Sequence, residues 1–239
     1  MKTTIFKFLI IPALLVAAPG AQAIPPGGPV IERANKNARP DFTEPDRQGN
    51  RSGTDSRGNC GASPTNLMAL MPSSNLGRTA TAQPTLWFYI PYTSEQIAFG
   101  TFALQDSAGN DVTTERLRFS PPENPGFTSL TLPQEFLLAD VGDEYRWFLE
   151  LHCVSANGLV YVDGWVQRAA LPDTQIADQP EHIYVENDIW LDAINYLGQR
   201  RAQDPTNTEL LERWNQLLAL LELETLPAEP FVGPLILEE

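Results

Sequence analysis

Histidine and cysteine are scarce in this chain, two of each among 239 residues. A cysteine-rich zinc centre or a CxxC redox pair is excluded by count, and any zinc site would have to be carboxylate-rich. A Ser/His/Asp set would have to use one of the two imidazoles, and no G-x-S-x-G elbow accompanies either. No phosphate-cradling glycine loop occurs. Lysine is absent from Asn59 to the end, where eight arginines face 25 acids, a balance of −17 (8 minus 25). Such a surface repels phosphate backbones and anionic lipid, which argues against nucleic-acid binding. Beyond residue 23 no run is long and apolar enough to cross a bilayer. No motif calls for a cofactor or a metal, and DSAGND (106–111) lacks the register of a calcium loop and reads as a hairpin turn.

What is present begins with an export signal. MKTTIFKFLIIPALLVAAPGAQA (1–23) has a basic start at Lys2 and Lys7, a short apolar centre and an Ala21-Gln22-Ala23 cleavage site. The expectation is an exported protein of the periplasm or cell envelope, with no membrane segment left after cleavage. In an oxidising compartment an even cysteine count suggests one bridge, Cys60 to Cys153, closing a loop of 93 residues (153 minus 60).

Composition divides the rest. Residues 24–58 are rich in proline, glycine, asparagine and charge and read as a flexible leader. From 59 to 170 short apolar runs alternate with turn residues, giving strands at 86–92, 96–106, 112–119, 127–133, 145–153 and 159–169. Six such strands point to an antiparallel β-sandwich of immunoglobulin-like type. In 145–153, Tyr145, Trp147, Leu149, Leu151 and Cys153 share one face, and Arg146, Phe148, Glu150 and His152 the other. Tyr145, three residues after Gly142 and two before Trp147, has the spacing of a tyrosine corner.

From 171 to 226 the period becomes helical. One helix is expected over 181–202 and a second over 209–223, with Thr206 and Glu209 as a capping box. The pair forms a hairpin that packs on the sandwich, and 227–239 reads as an extended tail. The strand PTLWFYIPY (84–92) is apolar on both faces. Trp87 and Tyr89 face one side and Leu86, Phe88 and Ile90 the other. The preferred reading packs one face sheet to sheet and the other sheet to helix, with an exposed Trp87/Tyr89 platform as the alternative.

The ordered blocks PTLWFYIPY, GDEYRWFLELHC (142–153), GWVQR (164–168) and IWLDAINYL (189–197), preceded by LMALMP (67–72), resemble the domain of unknown function numbered 928, a family found chiefly in cyanobacteria. The resemblance implies an exported envelope protein and carries no activity, cofactor or catalytic residue with it.

Three functions remain in view. The first is a non-enzymatic interaction or adaptor module with an envelope partner. The second is a glycan-binding protein using Trp87, Tyr89 or Trp165 as an aromatic surface. The third is a hydrolase built on the polar cluster Glu150, His152 and Asp163, which a solvated strand face explains as well. No catalytic residue is assigned.

Overall fold

A computed structural model of the chain describes residues 49–53, 60–61, 63–155, 158–171, 180–227 and 230–238. The expected signal peptide, residues 24–48 and 54–58 of the leader and the turn residues 156–157 lie outside the described residues.

The strands are β1 (Met68–Ala69), β2 (Leu76–Thr79), β3 (Thr85–Ile90), β4 (Ile97–Asp106), β5 (Leu117–Ser120), β6 (Gly126–Thr131), β7 (Glu144–Cys153), β8 (Leu159–Arg168), β9 (Phe231–Pro234) and β10 (Ile236–Leu237). They form a four-stranded sheet, β1-β3-β6-β9, and a six-stranded sheet, β10-β5-β4-β7-β8-β2. Each of the six expected strands has a counterpart, but the one expected over 112–119 is strand only from Leu117 to Ser120. The expectation of antiparallel sheets needs correction, because β2 pairs with β8 and β6 with β9 in parallel. Both pairings join segments far apart in the chain, and a parallel pair requires such a crossover. The immunoglobulin likeness rests on one feature: the Ala139 N–H donates to the Tyr145 hydroxyl at 3.2 Å, tying down the loop before β7.

Period-two burial builds the core between the sheets. β7 alternates strictly, with Tyr145, Trp147, Leu149, Leu151 and Cys153 inward. Leu86, Phe88 and Ile90 meet them from β3, Phe88 lying edge-on to Trp147 at 5.6 Å between ring centroids. In β4 a bulge between Ile97 and Phe99 breaks the alternation. Ile97 is therefore buried with Phe102 and Leu104, while Phe99 sits on the outer face beside His152. Gly100 has to be glycine, since a Cβ there would fall 2.0 Å from the Phe119 ring.

The other face of β3 is roofed by helices, as its apolar pattern requires. Trp87, Tyr89 and Phe127 share a second core with Trp190, Ile194, Leu197, Trp214 and Leu217. The roof has three helices instead of two: α1 (Pro180–Glu186), α2 (Trp190–Gln203) and α3 (Thr208–Leu220). The expected helix 181–202 breaks at Asp188, whose φ of 58° turns the chain out of the right-handed helical region. The cap of α3 is Asn207 and not Thr206; its side-chain oxygen accepts the Leu210 N–H at 3.1 Å.

Close contacts seat the roof. A Cβ at Gly198 would stand 2.7 Å from the Trp87 indole, so α2 approaches β3 as only glycine permits. Asn195 accepts the Trp87 indole N–H at 3.2 Å. Arg201, fully buried, donates to the Pro205 carbonyl at 2.8 Å and holds the α2–α3 link. Glu181 of α1, also buried, accepts from Arg213 Nε of α3 at 2.8 Å. Asp192 accepts the Ala80 N–H at 3.1 Å, joining α2 to the end of β2. Burial pushes the Asp192 carboxyl above its ordinary range, against the hydrogen bonds from Thr79 and Ala80.

Both ends of the domain are woven into the sandwich, which corrects two expectations. The supposed tail supplies β9 and β10, edge strands of the four- and the six-stranded sheet respectively. Pro230 and Pro234, which lack an N–H, and Gly233 at φ 86° blunt the open edge of β9 against further pairing. Residues 49–53 of the supposed flexible leader are a docked strap. Ser52 bridges to Met68, and Arg51 donates to the Met71 and Leu221 carbonyls at 2.9 and 2.8 Å. Sequence composition hides this, because the strap is held by backbone and charged groups and not by apolar residues.

Candidate functional site

The proposed glycan platform of Trp87 and Tyr89 does not exist as an open surface. Each is 5% exposed. Trp87 packs edge-on to Trp214 at 6.2 Å and to Phe231 at 5.9 Å, and Tyr89 to Phe127 at 5.2 Å. Sheet alternation predicts the pair's common face, and the helices decide that it is covered.

Trp165 lies elsewhere, on the outer face of the six-stranded sheet. In β8 it pairs with Arg146 of β7, so both side chains leave the sheet on the same side. Phe148, Tyr161 and Phe99 share this side by the same register logic, since Phe148 opposes Asp163, Tyr161 opposes Glu150 and Phe99 opposes His152. All four rings are half-buried. The helical roof packs against β2, β3 and β9.

Flat groups layer over these rings. Phe99 stacks on His152 at 4.3 Å with 15° between the planes, and the Arg118 guanidinium lies 3.5 Å above Phe99. The Arg146 guanidinium sits 4.8 Å from the Phe148 ring centre and 6.0 Å from that of Trp165. Such cation–π contacts hold the arginine planes against the sheet.

Each arginine of this face is also matched by a carboxylate. Arg116 Nη1 meets Glu150 Oε2 at 2.7 Å, Arg118 Nε meets Glu238 Oε2 at 2.6 Å, and Arg78 Nη1 lies 3.8 Å from Asp188 Oδ2. Arg146 donates to Asp163 Oδ2 from Nε and Nη2 at 3.0 and 2.7 Å. The face is therefore polar and aromatic with its arginines paired, although the chain as a whole carries −14.

The expected cluster of Glu150, His152 and Asp163 is only partly assembled. His152 Nε2 lies 3.7 Å from Glu150 Oε2. That same oxygen also accepts from Arg116 and, at 3.2 Å, from the Thr101 hydroxyl. Asp163, 2% exposed, belongs to a different contact: its Oδ2 takes Arg146, and its Oδ1 takes the Asn50 N–H at 3.0 Å. Its role is to hold the strap on β8. Asp163→Ala is expected to cost about 1–3 kcal/mol, the penalty for stripping hydrogen bonds from a buried site. Limited proteolysis should then cut before Ser52 faster than in the parent chain; unchanged cutting would show that the strap is held by other contacts.

Cys60 and Cys153 form the expected disulfide, with their Cα atoms 4.9 Å apart. Among the described residues no three histidine, cysteine, aspartate or glutamate side chains cluster as metal ligands. The residues that sequence reasoning passed over are Phe99, Phe148 and Tyr161. The alternation of β7 already separates Phe148 from the core face, but the bulge in β4 had to be seen to place Phe99.

A groove of about 870 Å³ also opens between the β5–β6 turn and β9, lined by Pro121, Pro122, Pro125, Pro230, Pro234 and Tyr89 among others. Among the described residues, Glu123 is the one ionisable group in its wall apart from the tyrosine.

No curated protein and no solved structure matches the chain. The model of one family, described as Domain of Unknown Function (DUF928), matches residues 52–231. The match starts within the strap, takes in β1 to β8 and the helical roof, and ends at the first residue of β9. It spans well over half of the chain, which thus belongs to the DUF928 family.

Proposed function

We propose that this chain is an exported, non-catalytic interaction module that binds an envelope component through the outer face of its six-stranded sheet. The observation that carries the reading is the half-buried set Phe99, Phe148, Tyr161 and Trp165 on the outer face of one sheet, whereas Trp87 and Tyr89 on the outer face of the other lie under the helices. Buried rings give a core, whereas partly exposed rings beside arginines are the composition of binding surfaces. Export is supported by the basic, apolar and Ala-x-Ala order of residues 1–23 and by the cystine. A non-catalytic role is supported by the engagement of the acid–base candidates: Glu150 is held by Arg116 and Thr101, and Asp163 by Arg146 and Asn50.

The test is photo-crosslinking in the cell envelope. A photoreactive residue replacing Tyr161 should yield a discrete adduct. The same residue replacing Gln199, exposed on α2, serves as the control and should yield none. Equal labelling from the two sites, or none from Tyr161, would defeat the proposal.

A further inference from the structure

We infer that the ligand of this face is a neutral, extended glycan; the inference rests on the outer face being the binding surface. Three properties of the face point to that chemistry.

The first is the pairing of charge. Arg78, Arg116, Arg118 and Arg146 each already face a carboxylate. A polyanion would have to displace Glu150, Glu238 or Asp163, and the chain's −14 would oppose its approach. A polycation would have to displace the arginines. A sugar hydroxyl does neither: it donates to a carboxylate oxygen and accepts from a guanidinium at the same time, so it joins an ion pair without breaking it. The arginines of these pairs remain within reach of such groups, with side chains of Arg116, Arg118 and Arg146 52%, 48% and 34% exposed, although Asp163 itself is closed off at 3%.

The second is the set of flat apolar surfaces between those pairs. A pyranose ring carries C–H groups on its faces, and these pack on the π-face of an aromatic ring, whose quadrupole is negative there. Trp165 and Phe148 flank the Arg146–Asp163 pair, and Tyr161 stands opposite Glu150 of the Arg116–Glu150 pair, whereas the faces of Phe99 are taken by His152 and Arg118. Trp165, Phe148 and Tyr161 thus each have a hydrogen-bonding pair next to them, the arrangement that an amphipathic sugar needs.

The third is extent. Tyr161 and Trp165 stand four residues apart on β8, opposite Glu150 and Arg146. Strand rise puts the two rings roughly 13 Å apart along the sheet. A single sugar cannot span that distance, whereas an oligosaccharide laid along the strand can.

Affinity electrophoresis of the full mature chain tests the inference. The gels contain a soluble neutral glucan, a neutral mannan, polygalacturonate or no polymer. Retardation is expected in at least one neutral polymer and should persist at high salt, because no net charge is matched. Trp165→Ala and Phe148→Ala should each weaken it by about tenfold, the scale of one lost ring contact. Trp165→Phe should retain most of it, and melting curves verify that each variant is folded. Retardation by polygalacturonate alone, abolished by salt, would overturn the inference. So would a wild-type chain that ignores both neutral polymers while its Tyr161 crosslink is to a protein, an outcome that leaves the proposed function standing. Absence of retardation together with absence of a Tyr161 adduct removes both.

Discussion

Trp214→Ala is expected to destabilise the fold by about 3–5 kcal/mol, the range for removing a large aromatic side chain from a packed core. Trp214 has no exposed surface. Its ring lies 5.3 Å from Phe127, 5.3 Å from Phe231 and 6.2 Å from Trp87. It therefore joins α3 to three strands of the four-stranded sheet at once. The cavity cannot close by a shift of α3 alone, because Arg213 on that helix is tied to Glu181 and the α2–α3 link to Arg201. Urea unfolding followed by circular dichroism measures the effect, with Trp214→Phe as the smaller excision. A loss below about 1 kcal/mol, ordinary for a surface change, would mean that the helical roof does not bear on the sheet as described.

Replacing both cysteines by serine should have an effect of similar size. The cystine closes a 93-residue loop, and the chain-entropy model assigns such a loop about 4–5 kcal/mol, reduced by any strain in the folded state. The constraint joins Cys60, which follows the strap in the chain, to the last residue of the central strand β7. Without it, the unfolded chain regains the freedom of most of the sandwich, while the folded contacts change little. The double variant should have a lower urea midpoint than the oxidised parent, and adding a reductant should move the parent towards the variant. Equal midpoints in all three samples would show that the bridge contributes nothing to stability. The two substitutions act on separate terms, one on packing and one on the unfolded ensemble. Their effects should accordingly add, within the few tenths of a kcal/mol usual for distant sites.

Much of this architecture is legible residue by residue. The alternation in 145–153 assigns five side chains to the core, and the structure buries all five. The double-faced apolar run 86–90 demands two covers, and it has a sheet on one side and helices on the other. Other elements leave no such signature. β1 and β10 are two residues long, too short for any period to show. β9 contains glycine and proline, which read as punctuation and not as strand. The break between α1 and α2 depends on a left-handed Asp188, a conformation open to aspartate but announced by nothing around it.

The candidate site divides along the same line. Sequence alone determined that Trp87 and Tyr89 share a face, that Phe148 departs from the core face of its strand, and that Cys60 and Cys153 were available to each other. Only the tertiary structure decided that the first pair is roofed and that Trp165, Phe148, Tyr161 and Phe99 are half-buried on the outer face of the six-stranded sheet. It alone took Asp163 out of the polar cluster and gave it to Arg146 and Asn50. The physical reason is that periodicity is a local property of one strand. It states which side chains point the same way, whereas what lies over them depends on where distant segments return.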